Sequence, residues 1–142
     1  MNLNALINRT RGYVRDDIGA LFKQEDITSW VNEGIDRVRE VIYPLNKMVY
    51  LTGNSDEPIL MPEEWHYLLA LYSASRCSTQ DEQEYRANNF MSEFEMKLAE
   101  LKERIELGDI IIYDEDGNVL PPKANSGESD MVQNLYFKKY YW

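Results

Sequence analysis

Between residues 87 and 105 one side of the chain repeats so regularly that it dictates the local fold. Ala87, Met91, Phe94, Leu98, Leu101 and Ile105 alternate in steps of four and three residues. That spacing draws one apolar seam along an α-helix. Glu93, Glu95, Glu100, Glu103 and Glu106 fall mostly off the seam, together with Lys97, Lys102 and Arg104, so the seam must be covered while the opposite side faces water. The pattern predicts a helix over residues 82–107 with Gly108 as its stop. Other apolar helices are available within the chain, so the seam reads as intramolecular core rather than as a coiled coil between copies.

Those other helices announce themselves by the same period. Leu3, Leu6, Ile7, Thr10 and Val14 share one face of a first amphipathic helix, weakened towards its end by Gly12 and followed by a loop at Gly19. Ile27, Val31, Ile35, Val38 and Ile42 make the stripe of a second, with Asp26 or Thr28 as its cap, Trp30 at its border and Pro44 as its terminator. A third opens on Pro62-Glu63-Glu64-Trp65-His66, where proline and carboxylates suit a first turn. Its continuation, residues 67–74, is apolar on nearly every side, which puts this helix at the centre of a bundle. Residues 78–81 are polar and break it before the long helix.

Two segments read as β. Residues 48–51 and 58–61 are short apolar runs around Thr52-Gly53-Asn54-Ser55-Asp56, and residues 110–113 precede the turn chemistry of Asp114-Glu115-Asp116-Gly117-Asn118 and then Val119-Leu120. Each is a candidate hairpin, too small to stand alone in water. The expected fold class is therefore mainly α: a bundle of about four helices, one or two small β-hairpins and an extended C-terminal tail. The division is a helical domain over 1–109, a short hairpin or extended segment over 110–122, and a linker with an aromatic tail over 123–142.

Composition removes several functions. With 44% hydrophobic residues among 142 the chain can bury a core. No run approaches the roughly 20 apolar residues of a membrane span, and the first residues lack the apolar stretch of a secretory signal; the expectation is a protein without membrane contact. A net charge of −10 argues against ordinary nucleic-acid binding, which needs basic surfaces. Such charge does suit a wall that DNA passes without sticking. The lone Cys77 cannot form an internal disulfide and sits in an apolar stretch, which reads as a buried, inert thiol in a reducing cytoplasm. One Cys with the single His66 makes no zinc set. His66, Glu63 and Glu64 could be imagined as an acid–base group, but a helix opening accounts for the glutamates. The acidic run 114–118 lacks the alternating oxygens and distal glutamate of a calcium loop and reads as a solvated turn. No phosphate cradle or nucleophile motif is present, so neither enzyme activity, nor a metal, nor a cofactor is expected.

The tail stands out. After Pro121-Pro122 and the small polar residues 123–130 comes Met131-Val132-Gln133-Asn134-Leu135-Tyr136-Phe137-Lys138-Lys139-Tyr140-Tyr141-Trp142, with five aromatics in its last seven residues. Such rings need a surface; fully burying each is worth roughly 1.5–3 kcal/mol. Two covers are open, the chain's own bundle or another protein, and the polar linker's reach favours the second. Leu135, Tyr136, Phe137, Lys138, Lys139, Tyr140, Tyr141 and Trp142 are the candidate docking residues.

The order of features carries a resemblance. Trp30-Val31-Asn32-Glu33-Gly34-Ile35 is followed by the short hairpin candidate and by Pro62-Glu63-Glu64-Trp65-His66-Tyr67-Leu68-Leu69. Then come Ala74-Ser75-Arg76-Cys77, Asp81-Glu82-Gln83-Glu84-Tyr85 and Phe90-Met91-Ser92-Glu93-Phe94-Glu95. Over roughly residues 3–108 this resembles the head-to-tail connector adaptor proteins of tailed bacteriophages. The resemblance implies a virion protein of the neck, assembled in the host cytoplasm. Such a subunit would close into a ring of about a dozen copies beneath the portal. It would extend the DNA channel without sequence-specific binding and offer a platform to a stopper or tail protein. It also implies that the C-terminal residues insert against the portal protein. The alternative is an acidic regulatory protein that mimics nucleic acid and holds a basic partner.

Overall fold

A computed structural model describes residues 1–16 and 18–122. Four helices occupy most of that span: α1 (Leu3–Val14), α2 (Gln24–Val41), α3 (Tyr67–Gln80) and α4 (Glu84–Glu106). One antiparallel pair follows, β1 (Ile112–Tyr113) with β2 (Val119–Leu120), in the register Ile112 opposite Leu120 and Tyr113 opposite Val119. The mainly α bundle with a small hairpin expected from the periodicities is the fold observed. The 123–142 part of the expected tail lies outside the described residues.

The central position expected for the third helix is where α3 sits, packed against α1, α2 and α4. Leu68, Leu69, Ala70, Leu71, Ala74 and Cys77 are all buried, which is why residues 67–74 are apolar on nearly every side. The stripe of α2 and the seam of α4 meet it, with Ile27, Val31, Ile35, Val38, Phe94, Leu98, Leu101 and Ile105 buried and Met91 half-buried. Tyr72 and Phe94 make an edge-on ring contact at 5.2 Å between α3 and α4. Gly34 sits where α2 crosses α3; a Cβ there would stand 3.2 Å from Cβ of Tyr72 and 3.4 Å from Leu69. Thr10, the polar member of the α1 face, is buried because its hydroxyl donates to the Leu6 carbonyl and pairs with Ser73 of α3.

Helix ends differ from expectation in instructive ways. α1 begins on an Asn2 cap that accepts from the Ala5 amide at 2.9 Å, passes through Gly12 and stops at Arg15, which takes a left-handed φ of 61°. α2 starts earlier than Asp26 or Thr28, with Lys23 at the cap position and no side-chain cap. Glu25 and Asp26 then lie in its first turn, where they meet the positive end of the helix dipole. Residues 63–65 form a single 3₁₀ turn rather than the first turn of α3. α4 ends as foreseen, with Gly108 at φ +85°.

The first hairpin candidate is not a hairpin. No strand forms among residues 48–61; instead residues 46–54 run back along α2, and helix side chains take the place of a partner strand. The Asn32 amide group bonds both polar groups of Leu51, accepting from its N–H at 2.8 Å and donating to its carbonyl at 3.0 Å. Tyr50 donates to Asp36, and Arg39 to the Asn46 carbonyl. Asp56 closes the 52–56 turn by accepting from the amides of Thr52 and Gly53. The backbone of that turn then accepts from Leu3 and Asn4, satisfying amides at the open end of α1.

Candidate interaction surfaces

The residues proposed from sequence as the docking site, Leu135 to Trp142, fall outside the described residues. What the structure does place is a surface that local reading missed. Residues 57–66 and 109–113, far apart in the chain, form the two walls of a groove of about 610 Å³. One wall comes from the end of the strap beside α2 and the opening of α3; the other is the stretch that carries α4 into β1. The floor is apolar, with Leu60, Met61, Ile110 and Ile112 buried or half-buried. Ile59, Ile111 and Tyr113 line the groove and remain more than half exposed. Glu57, Glu63, Glu64 and Asp109 charge the rim, and no lysine or arginine is among the lining residues described. A smaller hollow of about 250 Å³ adjoins it, sharing Ile59 and Leu60 and adding Val49, Leu120 and the acidic residues 114–116.

His66 stands at the back of this groove, buried. Its Nε2 lies 2.7 Å from the Met61 carbonyl and its Nδ1 lies 2.8 Å from the Met1 nitrogen. Burial lowers its pKa, outweighing the Met61 carbonyl and the carboxylates of Glu63 and Glu57, which act the other way. Ligand atoms of Glu57, Glu63 and His66 all lie within 4.8 Å of one another. Glu57 enters this group only through the fold, so sequence neighbours could not reveal it. Both imidazole nitrogens already have partners, so His66 could ligate a cation only by surrendering one of them. The two carboxylates that remain are exposed.

The other chemical candidates resolve into structural roles. Cys77 is fully buried, and desolvation pushes its thiol up to about 12, the reverse of what a nucleophile needs. Asp114 folds into its own turn, its Oδ1 accepting from the amides of Asp116 and Asn118 at 2.9 and 2.8 Å. That carboxylate shapes the hairpin bend. Asp16 is a buried carboxylate that sequence reading did not single out. Its oxygens accept from the amides of Ala20, Leu21 and Phe22 and from the Arg11 guanidinium at 2.8 Å. Burial pushes its pKa up, but those donors together carry it below the usual value. The result is a pinned α1–α2 loop that leaves Ile18 and Leu21 exposed.

No helix of the described residues is long and apolar enough to cross a membrane. Compared with family models, with curated proteins and with solved structures, the chain matches none.

Proposed function

We propose that this chain is a non-enzymatic structural subunit of a tailed-phage neck, an adaptor between portal and tail. Copies would close into a ring of about a dozen around the DNA path, with the aromatic tail anchored on the portal and the opposite face offered to a stopper or tail protein. The observation that carries the reading is where the resembling motifs fall. Gly34 lies against Tyr72 and Leu69 of α3, Trp65 and His66 lead into the central helix, and Phe94 seats against Tyr72. Those residues belong to one four-helix bundle, and it is their order along the chain that resembles the connector adaptors. The surface supports binding over chemistry: exposed apolar residues include Val49, Ile59, Tyr113 and Val119 on the strap and hairpin and Ile18 and Leu21 on the α1–α2 loop, while the one thiol is buried. The surplus of carboxylates suits a channel wall that repels DNA.

The test is capture of the portal encoded in the same genome by the full chain, alongside a chain in which Tyr136, Phe137, Tyr140, Tyr141 and Trp142 are serine. Capture by the first and loss by the second is the expected result. Aromatic anchors in pockets dominate such interfaces, so the loss should be about tenfold or more in affinity. Undiminished capture removes the tail's role. Absence of the polypeptide from the genome-exit vertex in imaged virions removes the adaptor reading altogether. A DNA-mimic protein is the rival, favoured by the same acidic surplus. It predicts that partner binding collapses between low and high salt, whereas an aromatic anchor holds.

A further inference from the structure

We propose that the acidic groove is the docking site for residues 131–142 of the same chain, laid as an extended segment along the open edge of β1. Three observations converge. The first is backbone geometry. The Asp114 amide donates to the Asn118 carbonyl and Ile112 faces Leu120, so these two residues direct their polar groups towards β2. Alternation along a strand then turns the amides and carbonyls of Ile111 and Tyr113 to the opposite edge, and both residues line the groove. An edge with no partner among the described residues, beside an apolar floor, is what an added strand requires.

The second is complementary chemistry. The rim bears Glu57, Glu63, Glu64 and Asp109, and residues 131–142 carry Lys138 and Lys139 with no acidic side chain. In a chain with 25 acidic and 15 basic residues, that segment is the one that unites a positive pair with a dense set of rings. The third is reach. Leu120 lies in the hollow that shares Ile59 and Leu60 with the groove, so the chain leaves β2 beside it. The linker 123–130 can span up to about 28 Å at full extension. A tether that short gives an effective concentration in the millimolar range, which favours the chain's own tail over that of a second copy. The inference stands apart from the connector reading. If that reading also holds, the portal must draw the tail out of the groove, and the free subunit keeps its rings covered until it does.

The experiment uses the full chain with ¹³C-methyl isoleucine. The Ile59 and Ile111 methyls should show upfield ring-current shifts and NOEs to the Phe137, Tyr140 or Trp142 rings. Both should vanish in Lys138→Glu/Lys139→Glu and in the exposed-site variant Ile59→Glu, whose circular dichroism should match wild type. Methyl shifts that are the same in wild type and in the lysine variant overturn the proposal. So do NOEs that appear only between differently labelled copies in a mixed sample, because they assign the groove to another molecule's tail. Portal capture is read separately, so either idea can fail alone.

Discussion

Replacing Asp16 with asparagine tests whether one buried carboxylate organises the α1–α2 connection. Oδ1 accepts from Ala20 and Leu21 at 2.9 and 3.0 Å, and Oδ2 accepts from Phe22 at 3.0 Å and Arg11 at 2.8 Å. Asparagine keeps one oxygen, and its amide then faces two donors. Each charge-assisted bond is worth about 1.5–3 kcal/mol, and removing one partner of a buried pair costs roughly 3–5 kcal/mol. The contributions overlap, so the expected loss is about 3 kcal/mol, or a fall in Tm of roughly 12 °C at about 4 °C per kcal/mol. The pH dependence has a definite sign. Asp16 in the folded chain ionises below its ordinary value of 3.8, so its contribution is fully present above that pH. On acidification the unfolded chain takes up the proton first, and the contribution drains away until the folded value is passed. Urea unfolding followed by circular dichroism should therefore show a full gap between wild type and Asp16→Asn at neutral pH, shrinking below pH 3.8. A gap under about 1 kcal/mol at neutral pH, the size of an ordinary substitution, refutes the reasoning. So does a gap that does not change with acid.

Two further expectations rest on packing. Gly34→Val should destabilise by about 1–3 kcal/mol through overpacking against Tyr72 and Leu69; a thermal melt unchanged from wild type would show that α2 and α3 can separate freely. Cys77, with its thiol raised to about 12, should resist a soluble disulfide reagent at pH 8 in the folded protein and react at once in urea. Rapid labelling without denaturant would place it near the surface.

The helices were legible because each carries its own period. The α2 stripe and the α4 seam needed no knowledge of their partners, and the all-apolar start of α3 already implied neighbours on every side. The 48–61 segment was misread for a physical reason. Apolar runs around polar turn residues signal only that backbone groups need partners, and here the partners are Asn32 and Arg39 on a helix rather than an opposing strand. The groove was invisible because its walls lie some forty-five residues apart, and Asp16 because its donors are mostly backbone amides, which have no residue signature. Glu57 joined Glu63 and His66 for the same reason: proximity through the fold leaves no mark on local spacing.

The pair of hydrogen bonds between Asn32 and Leu51 has a consequence for how this molecule opens. Both polar groups of Leu51 are engaged by one side chain, rooted in the middle of α2. Opening that pair needs the asparagine to rotate out, the helix to fray past its midpoint, or the strap itself to lift. Release of the strap would carry Ile59 and Leu60 away from the hairpin and dismantle the walls of both hollows at once. The shape of the surface offered to a partner is thus tied to the integrity of a helix that contributes nothing to its lining.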